Sequence, residues 1–189
     1  MIRAVENPSD APDTDAALLA DVARGDRKAF ERLHRRFYGA VMGFALRTGL
    51  AADLADEAAS DTMLAVWKAA ARFEGRSKVS TWIFGIAYRQ TMRRHRRRMT
   101  DKMAVPLDAV PDRPDLSAAP ARLDDRASIA RALSKLDPEL RALVEMTYVW
   151  GLSCREAAEI VDCAVGTVKS RMSLARHQLR AVLGGSAHD

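Results

Sequence analysis

The sequence predicts an all-α protein built as two small helical domains joined by a flexible linker. Three observations predict it. Ala, Leu, Arg and Met abound, aromatics make up 6% and long β-branched runs are absent, a mix that favours helices. Apolar residues recur at spacings of three and four along much of the chain, the period of a helix face. That pattern stops between Asp101 and Asp125, where Pro106, Pro111, Pro114 and Pro120 forbid a continuous helix. A chain of 189 residues, 48% hydrophobic, can bury a core and suits one ordinary domain or two small ones.

Taken in order, residues 1–13 are polar, carry Pro8 and Pro12, and read as a disordered leader. A short helix follows from Asp15 to Arg24, with Thr14 as its cap and Gly25 as its stop. Asp26 caps a longer helix whose apolar face is Phe30, Leu33, Phe37, Val41 and Phe44, closed by Gly49. The third helix spans about Ala51 to Arg72, acidic early (Asp53, Asp56, Glu57, Asp61) and apolar later (Met63, Leu64, Val66, Trp67). Early acids suit the positive end of a helix dipole. Residues 73–79 break the period and read as a loop, after which Ser80 caps a fourth helix ending in an arginine run. Trp82, set just after that cap among Ile83 and Ile86, reads as core, with base stacking the lesser reading. Residues 101–125 form the linker. Arg126–Leu136 makes one helix, and Asp137-Pro138 opens another, with Pro where its missing N–H costs little, ending near Trp150-Gly151. Ser153-Cys154-Arg155-Glu156 is a capping box, and a turn at Asp162-Cys163-Ala164 leads to a last helix, Gly166 to Leu183. Residues 185–189 are a tail.

Charge is distributed unevenly. The net charge is +5, but residues 76–100 hold eight Arg or Lys and no acid, and residues 101–125 hold six acids against three bases. Residues 164–183 again hold four bases and no acid. Two cationic surfaces separated by an acidic stretch fit two contacts with a polyanion; the plainer alternative is a pair of solvated helix faces. Catalysis finds little support. His34, His95, His177 and His188 are scattered, and Asp56, Glu57 and Asp61 have no neighbouring His or Cys. With no Gly-rich phosphate loop, neither a metal nor a cofactor is expected. Cys154 and Cys163 are too few for a disulfide framework and read as buried thiols, with redox sensing by the pair the lesser reading. No signal peptide or apolar span is evident, so a cytoplasmic protein without membrane contact is expected.

Residues 153–183 place a short capped helix, a tight turn and a basic helix in succession, the arrangement of a helix-turn-helix. In the last helix Val168, Met172, Ala175, Leu179 and Val182 form an inward seam. Side chains on the first outward turns of such a helix can reach base edges in the major groove, which makes Thr167, Lys169, Ser170 and Arg171 the candidate readers. Arg176, His177 and Arg180 lie further along as candidate phosphate contacts. An ordinary helical hairpin with a basic face would look the same in isolation, and repressors and recombinases share the motif.

Several motifs in order narrow this. Ala55–Trp67, Arg72–Gly75, Ser80–Ala87 and Arg93–Arg98 resemble sigma region two, and Gly151–Ile160, Val165–Arg171 and Ala175-Arg176 resemble sigma region four. Gly25–Leu33 looks like the opening of the same family. Over about residues 14–183 the chain is similar to extracytoplasmic-function sigma factors of the sigma-70 family. The resemblance implies a region-two bundle over 14–100 and a region-four helix-turn-helix over 126–184. It implies core RNA polymerase (β′ clamp and β subunits), promoter DNA and an anti-sigma factor as partners, the last holding the domains clamped together. Docking on the β′ clamp falls to Asp56, Glu57, Ser60, Asp61, Leu64 and Trp67, although Leu64 and Trp67 also read as core. Capture of an unstacked −10 base falls to Gly75, Arg76, Ser77 and Lys78, with Arg89, Arg93, Arg96 and Arg97 as a basic track for the strand. The −35 element falls to Thr167, Lys169, Ser170, Arg171, Arg176, His177 and Arg180. Departures bear on promoter choice: Ser60 replaces a usual glutamine, Arg89 and Arg93 a common asparagine and aspartate, Asp162 a usual glycine, and Leu174 a frequent arginine. A sigma-like mimic that sequesters an anti-sigma protein, or a helix-turn-helix repressor, are the alternatives. Eight bases over residues 76–100 argue against the mimic, and the region-two motifs argue against the repressor.

Overall fold

The computed structural model describes residues 12–104 and 124–184, among which there are eight α-helices and no strand. Helix α1 spans Pro12–Ala23, α2 Arg27–Arg47 and α3 Ala52–Ala69, the last extended by a 3₁₀ turn at Ala70–Arg72; α4 spans Val79–Ala104. Beyond the linker come α5 (Asp124–Ser134), α6 (Pro138–Val144), a π-helical turn (Glu145–Val149), α7 (Cys154–Val161) and α8 (Val165–Gly184).

The capping predicted for α2 holds: the Asp26 carboxylate accepts from the backbone N–H of Lys28 at 2.8 Å and of Ala29 at 3.2 Å. Its predicted apolar face is the centre of the N-terminal bundle, with Leu33, Phe37, Val41 and Phe44 fully buried and Phe30 at the margin. Leu18, Leu19 and Val22 of α1, Met63 and Val66 of α3, and Ile83 and Ala87 of α4 close around it. Three expected boundaries move. Helix α1 starts at Pro12, so Thr14 lies inside its first turn and is not its cap; proline has no N–H to leave unsatisfied there. Helix α4 starts at Val79, with the Trp82 N–H donating to the Lys78 carbonyl, and Ser80 is buried within it instead of capping it. It continues as far as Ala104, four residues into the expected linker. The rest of the expected linker up to residue 123, most of the leader and the 185–189 tail lie outside the described residues.

The C-terminal half follows prediction more closely. Helix α5 starts at Asp124 and ends at Ser134, each bound two residues earlier than expected. Asp137 caps α6 by accepting from the Glu139 N–H at 3.0 Å. Ser153 and Glu156 form the reciprocal capping box. Asp162 adopts the left-handed conformation, φ 54° and ψ 57°, that turns α7 into α8. One feature was not foreseen. Helix α6 does not run regularly to Trp150 but widens, the Trp150 N–H reaching back five residues to the Glu145 carbonyl.

The two halves are packed together. Helix α4 lies against α6 and α7, and buried residues of both halves form one continuous apolar cluster. Phe84 and Trp150 meet across the junction with ring centroids 4.0 Å apart. Arg47 of α2 pairs with the buried Glu145 at 2.5 Å, and the Arg141 guanidinium lies so close over Gly49 that a Cβ there would sit 2.6 Å from it. Gly49 itself has φ 100°, so only glycine suits both its conformation and this approach.

Candidate nucleic-acid interface

Along α3, Asp56, Glu57, Ser60, Asp61 and Leu64 fall at i, i+1, i+4, i+5 and i+8, which places them on one edge of the helix. All but Asp61 are exposed, and Asp61 is half-buried. Leu64 is 48% exposed, which corrects its reading as core. Trp67 is half-buried, edge-on to Phe30 with centroids 5.1 Å apart. Helix-dipole compensation does not account for the acids, since the first turn of α3 holds only Asp53. They have specific partners instead. The Tyr38 hydroxyl of α2 donates to Asp56 at 2.5 Å and lies 3.4 Å from the Ser60 hydroxyl. Its hydrogen bond to Asp56 pushes the Tyr38 phenol above its ordinary pKa. Tyr38 stacks in turn on His34, centroids 4.6 Å apart. Asp61 accepts from Arg94 at 2.8 Å and from Arg93 at 3.3 Å, and Glu57 lies 3.8 Å from Arg94.

The loop before α4 turns at Gly75, φ 71°, a position with open space around it. Arg76 is exposed and pairs with Glu74; Ser77 is half-exposed, and Lys78 is exposed at the mouth of α4. In α4 the arginine run divides. Arg89, Arg93, Arg96 and Arg97 are exposed, whereas Arg94 is 9% exposed and turned toward α3. Trp82 is half-buried against Phe73, centroids 5.4 Å apart. Residues of α3 and α4 together line an open groove of about 610 Å³, so the acidic edge and the exposed Arg93 and Arg97 share one surface.

On α8 the predicted inward seam is correct: Val168, Met172 and Ala175 are buried, and Leu179 and Val182 half-buried. Thr167, Lys169, Ser170, Arg176, His177 and Arg180 are exposed. The Ser170 hydroxyl donates to the Gly166 carbonyl of its own helix at 3.0 Å. Arg171 is half-buried, 3.6 Å from Glu139, and Glu139 also lies 3.8 Å from Arg96 of α4. One carboxylate thus faces an arginine from each basic helix. Tyr88 is buried beside this cluster, and burial, with Glu139 adding to it, pushes its phenol up to about 12. At the other side of the junction, Thr81 of α4 donates to Glu156 of α7 at 3.5 Å. Burial alone would raise the Glu156 carboxyl, but hydrogen bonds from Ser153, with Lys78 and Thr81 nearby, hold it below its ordinary value. Cys154 and Cys163 are free thiols and half-exposed, not buried as expected.

Sequence reasoning missed Tyr38, Arg47, Arg94, Glu139, Arg141 and Glu145. Arg94 was hidden because every residue of its run is basic, and the others touch partners 18 to 98 residues away, for which periodicity gives no signal. Among the described residues no group of three or more His, Cys, Asp or Glu could hold a metal ion, and no helix is long and apolar enough to cross a membrane.

Comparison with known proteins agrees with this geometry. Residues 33–100 match the sigma-70 region 2 family and residues 126–179 the sigma-70 region 4 family. The ECF RNA polymerase sigma factor RpoE of Cereibacter sphaeroides is 34% identical over 176 residues, covering 91% of this chain and 96% of its own. The ECF RNA polymerase sigma factor SigM of Mycobacterium tuberculosis is 33% identical over 171 residues, 90% of this chain and 85% of its own. Among solved structures, CnrH in complex with the cytosolic domain of CnrY superposes with a TM-score of 0.67 at 27% identity, over 92% of this chain and 99% of that one. The sigma factor RpoE of Bartonella quintana, in complex with the anti-sigma factor NepR, gives 0.62 at 28% identity, over 83% and 98%. With region two and region four matched in order on the halves that carry the two basic helices, the chain belongs to the sigma-70 family, among the ECF RNA polymerase sigma factors.

Proposed function

We propose that this sigma factor brings core RNA polymerase to promoters through three surfaces, without catalysis of its own. The edge of α3 bearing Asp56, Glu57, Ser60, Asp61 and Leu64, with Trp67 behind it, docks on the β′ clamp. The loop Gly75–Lys78 takes the unstacked −10 base, and Arg89, Arg93, Arg96 and Arg97 guide the single strand. The first turns of α8 (Thr167, Lys169, Ser170, Arg171) read the −35 element in the major groove, with Arg176, His177 and Arg180 on phosphates. Residues 14–100 and 126–184 act as separate domains on the promoter, and the acidic linker threads polymerase between them. The protein acts in the cytoplasm.

The observation that carries this reading is the outward aim of both basic helices on one chain, α4 and α8, with an acidic edge on α3 beside the first of them. A second feature bears on control. In the closed arrangement α6 and α7 lie over α4, and Glu139 faces both Arg96 and Arg171. CnrH was solved in complex with the cytosolic domain of CnrY and the Bartonella sigma factor in complex with the anti-sigma factor NepR, and we infer an anti-sigma protein that binds this chain in its closed arrangement.

Transcription from a cognate promoter by core polymerase plus the purified chain tests the reading, since a mimic or a repressor would give no transcript. Arg171→Ala should weaken −35 recognition while polymerase affinity holds, and Asp61→Arg should do the reverse. Equal loss of both activities from either change would contradict the division of labour. Promoter binding should also fall steeply with salt as phosphate contacts release counterions.

A further inference from the structure

We infer that Arg94 is a positioning residue for the polymerase-docking edge and makes no contact with DNA; the inference rests on the proposal that α3 is that edge. Arg94 stands in the run Arg93–Arg98, where composition would assign every arginine to phosphate. The structure separates it from its neighbours. Arg93, Arg96, Arg97 and Arg98 are exposed, while the Arg94 side chain is 10% exposed. Its Nη2 donates to Asp61 Oδ2 at 2.8 Å, and its Nη1 donates to the Gln90 carbonyl one turn back at 3.2 Å. Its Nε faces Glu57 Oε2 at 3.8 Å, an electrostatic contact beyond hydrogen-bond length. The planar fork is therefore committed on its own helix and on two carboxylates of α3. Reaching a phosphate would mean abandoning both.

The consequence follows from how binding surfaces gain affinity. A carboxylate already held in one rotamer loses less freedom when a partner binds it than a free one does. Arg94 holds Asp61 directly and draws Glu57 toward it, one turn apart on the same helix. Arg93 reaches Asp61 only at 3.3 Å and from a side chain 58% exposed, so it is a poor substitute. A lysine in place of Arg94 would keep the charge but lose the two-pronged geometry.

The test uses the full-length chain titrated with core polymerase, and promoter binding by the saturated holoenzyme across a salt series. Arg94→Gln is expected to weaken polymerase binding about tenfold, the size of effect given by loss of order in one or two side chains, and to leave the salt slope of promoter binding unchanged. Arg97→Gln is expected to reduce that slope by about one, the signature of a lost phosphate contact. Arg94→Lys should recover part of the polymerase affinity, and Arg94→Gln combined with Asp61→Asn should weaken binding little beyond Asp61→Asn alone. A purely structural arginine would lower the melting temperature yet combine additively with Asp61→Asn, which would overturn the inference. So would a fall in salt slope for Arg94→Gln matching that of Arg97→Gln. If Asp61→Asn weakens polymerase binding and Arg94→Gln does not, positioning by Arg94 is wrong but α3 docking stands. If Asp61→Asn leaves it unchanged, the docking assignment fails and this inference with it. Should Arg94→Gln not fold, Arg94→Lys carries the same comparisons, with a smaller loss expected.

Discussion

The ion pair between Arg47 and Glu145 is where the closed arrangement can be tested most directly. Glu145 is 3% exposed at the widened turn after α6, and Arg47, 37% exposed at the end of α2, meets it at 2.5 Å. Arg47→Met removes the cation and leaves a carboxylate stranded away from water. For a fully buried pair that costs about 3–5 kcal/mol; with one partner more than a third exposed, solvent screening brings it nearer ~2 kcal/mol. Arg47 also lies 5.9 Å from the Trp150 ring centroid, a contact contributing a further ~0.5 kcal/mol at a partly exposed site. A loss of about 2–3 kcal/mol lowers the ratio of closed to open chains roughly 30- to 150-fold. Small-angle scattering of the free chain should then show a larger radius of gyration, and domain melting should lose its coincidence. Arg47→Met combined with Glu145→Gln should recover part of the loss, because the cost comes from the uncompensated charge more than from the missing contact. An unchanged radius together with stability within about 0.5 kcal/mol of the parent would refute the reasoning.

Three further outcomes are expected. Asp162→Gly should stabilise the chain by a few tenths to about 1 kcal/mol in chemical denaturation, since a left-handed residue is relieved of its Cβ, whereas Asp162→Val should destabilise it. Ser153→Ala should cost about 1 kcal/mol by removing one half of the capping box of α7, read as a shift in melting temperature. His95 is held near pKa about 4, well below its ordinary 6.5, first by burial and then by Arg141 and Arg98. The unfolded chain therefore binds the extra proton between those values, so this contribution to stability is complete above pH 6.5 and is lost as pH falls toward 4. Allowing for its partial exposure, the loss is about 1–2 kcal/mol, and His95→Gln should flatten that part of the denaturation-against-pH curve.

What could be read from the sequence was what depends on near neighbours. The seam of α8, the face of α2, the caps at Asp26, Asp137 and Ser153 and the left-handed Asp162 all follow from residues within one or two turns. Two caps failed, at Thr14 and Ser80. A capping side chain marks a start that the sequence allows, but Pro12 lets the helix begin three residues earlier, and packing of α4 draws Ser80 into the interior. The positions assigned by family resemblance lie mostly on exposed surface, in the stripe on α3, the loop at Gly75 and the outer face of α8. Illegible were the contacts between distant residues. Nothing local distinguishes Arg94 from Arg93, or marks Glu139 as the acid facing two arginines; those identities come from how α3, α4, α6 and α8 are brought together.

The widened turn at Glu145–Val149 has a consequence for insertions and deletions. An α-helix advances about 100° per residue, so the additional backbone in this turn rotates everything after it by one position. It leaves Glu145 and Met146 facing inward and Tyr148 62% exposed, while delivering Trp150 onto Phe84. Removing a single residue here would restore regular winding and swing the indole off its seat on Phe84, and would also shift Met146, which is fully buried in the shared core. One of the contacts that join the halves therefore depends on the residue count of a single short stretch, which a change of three nucleotides can alter.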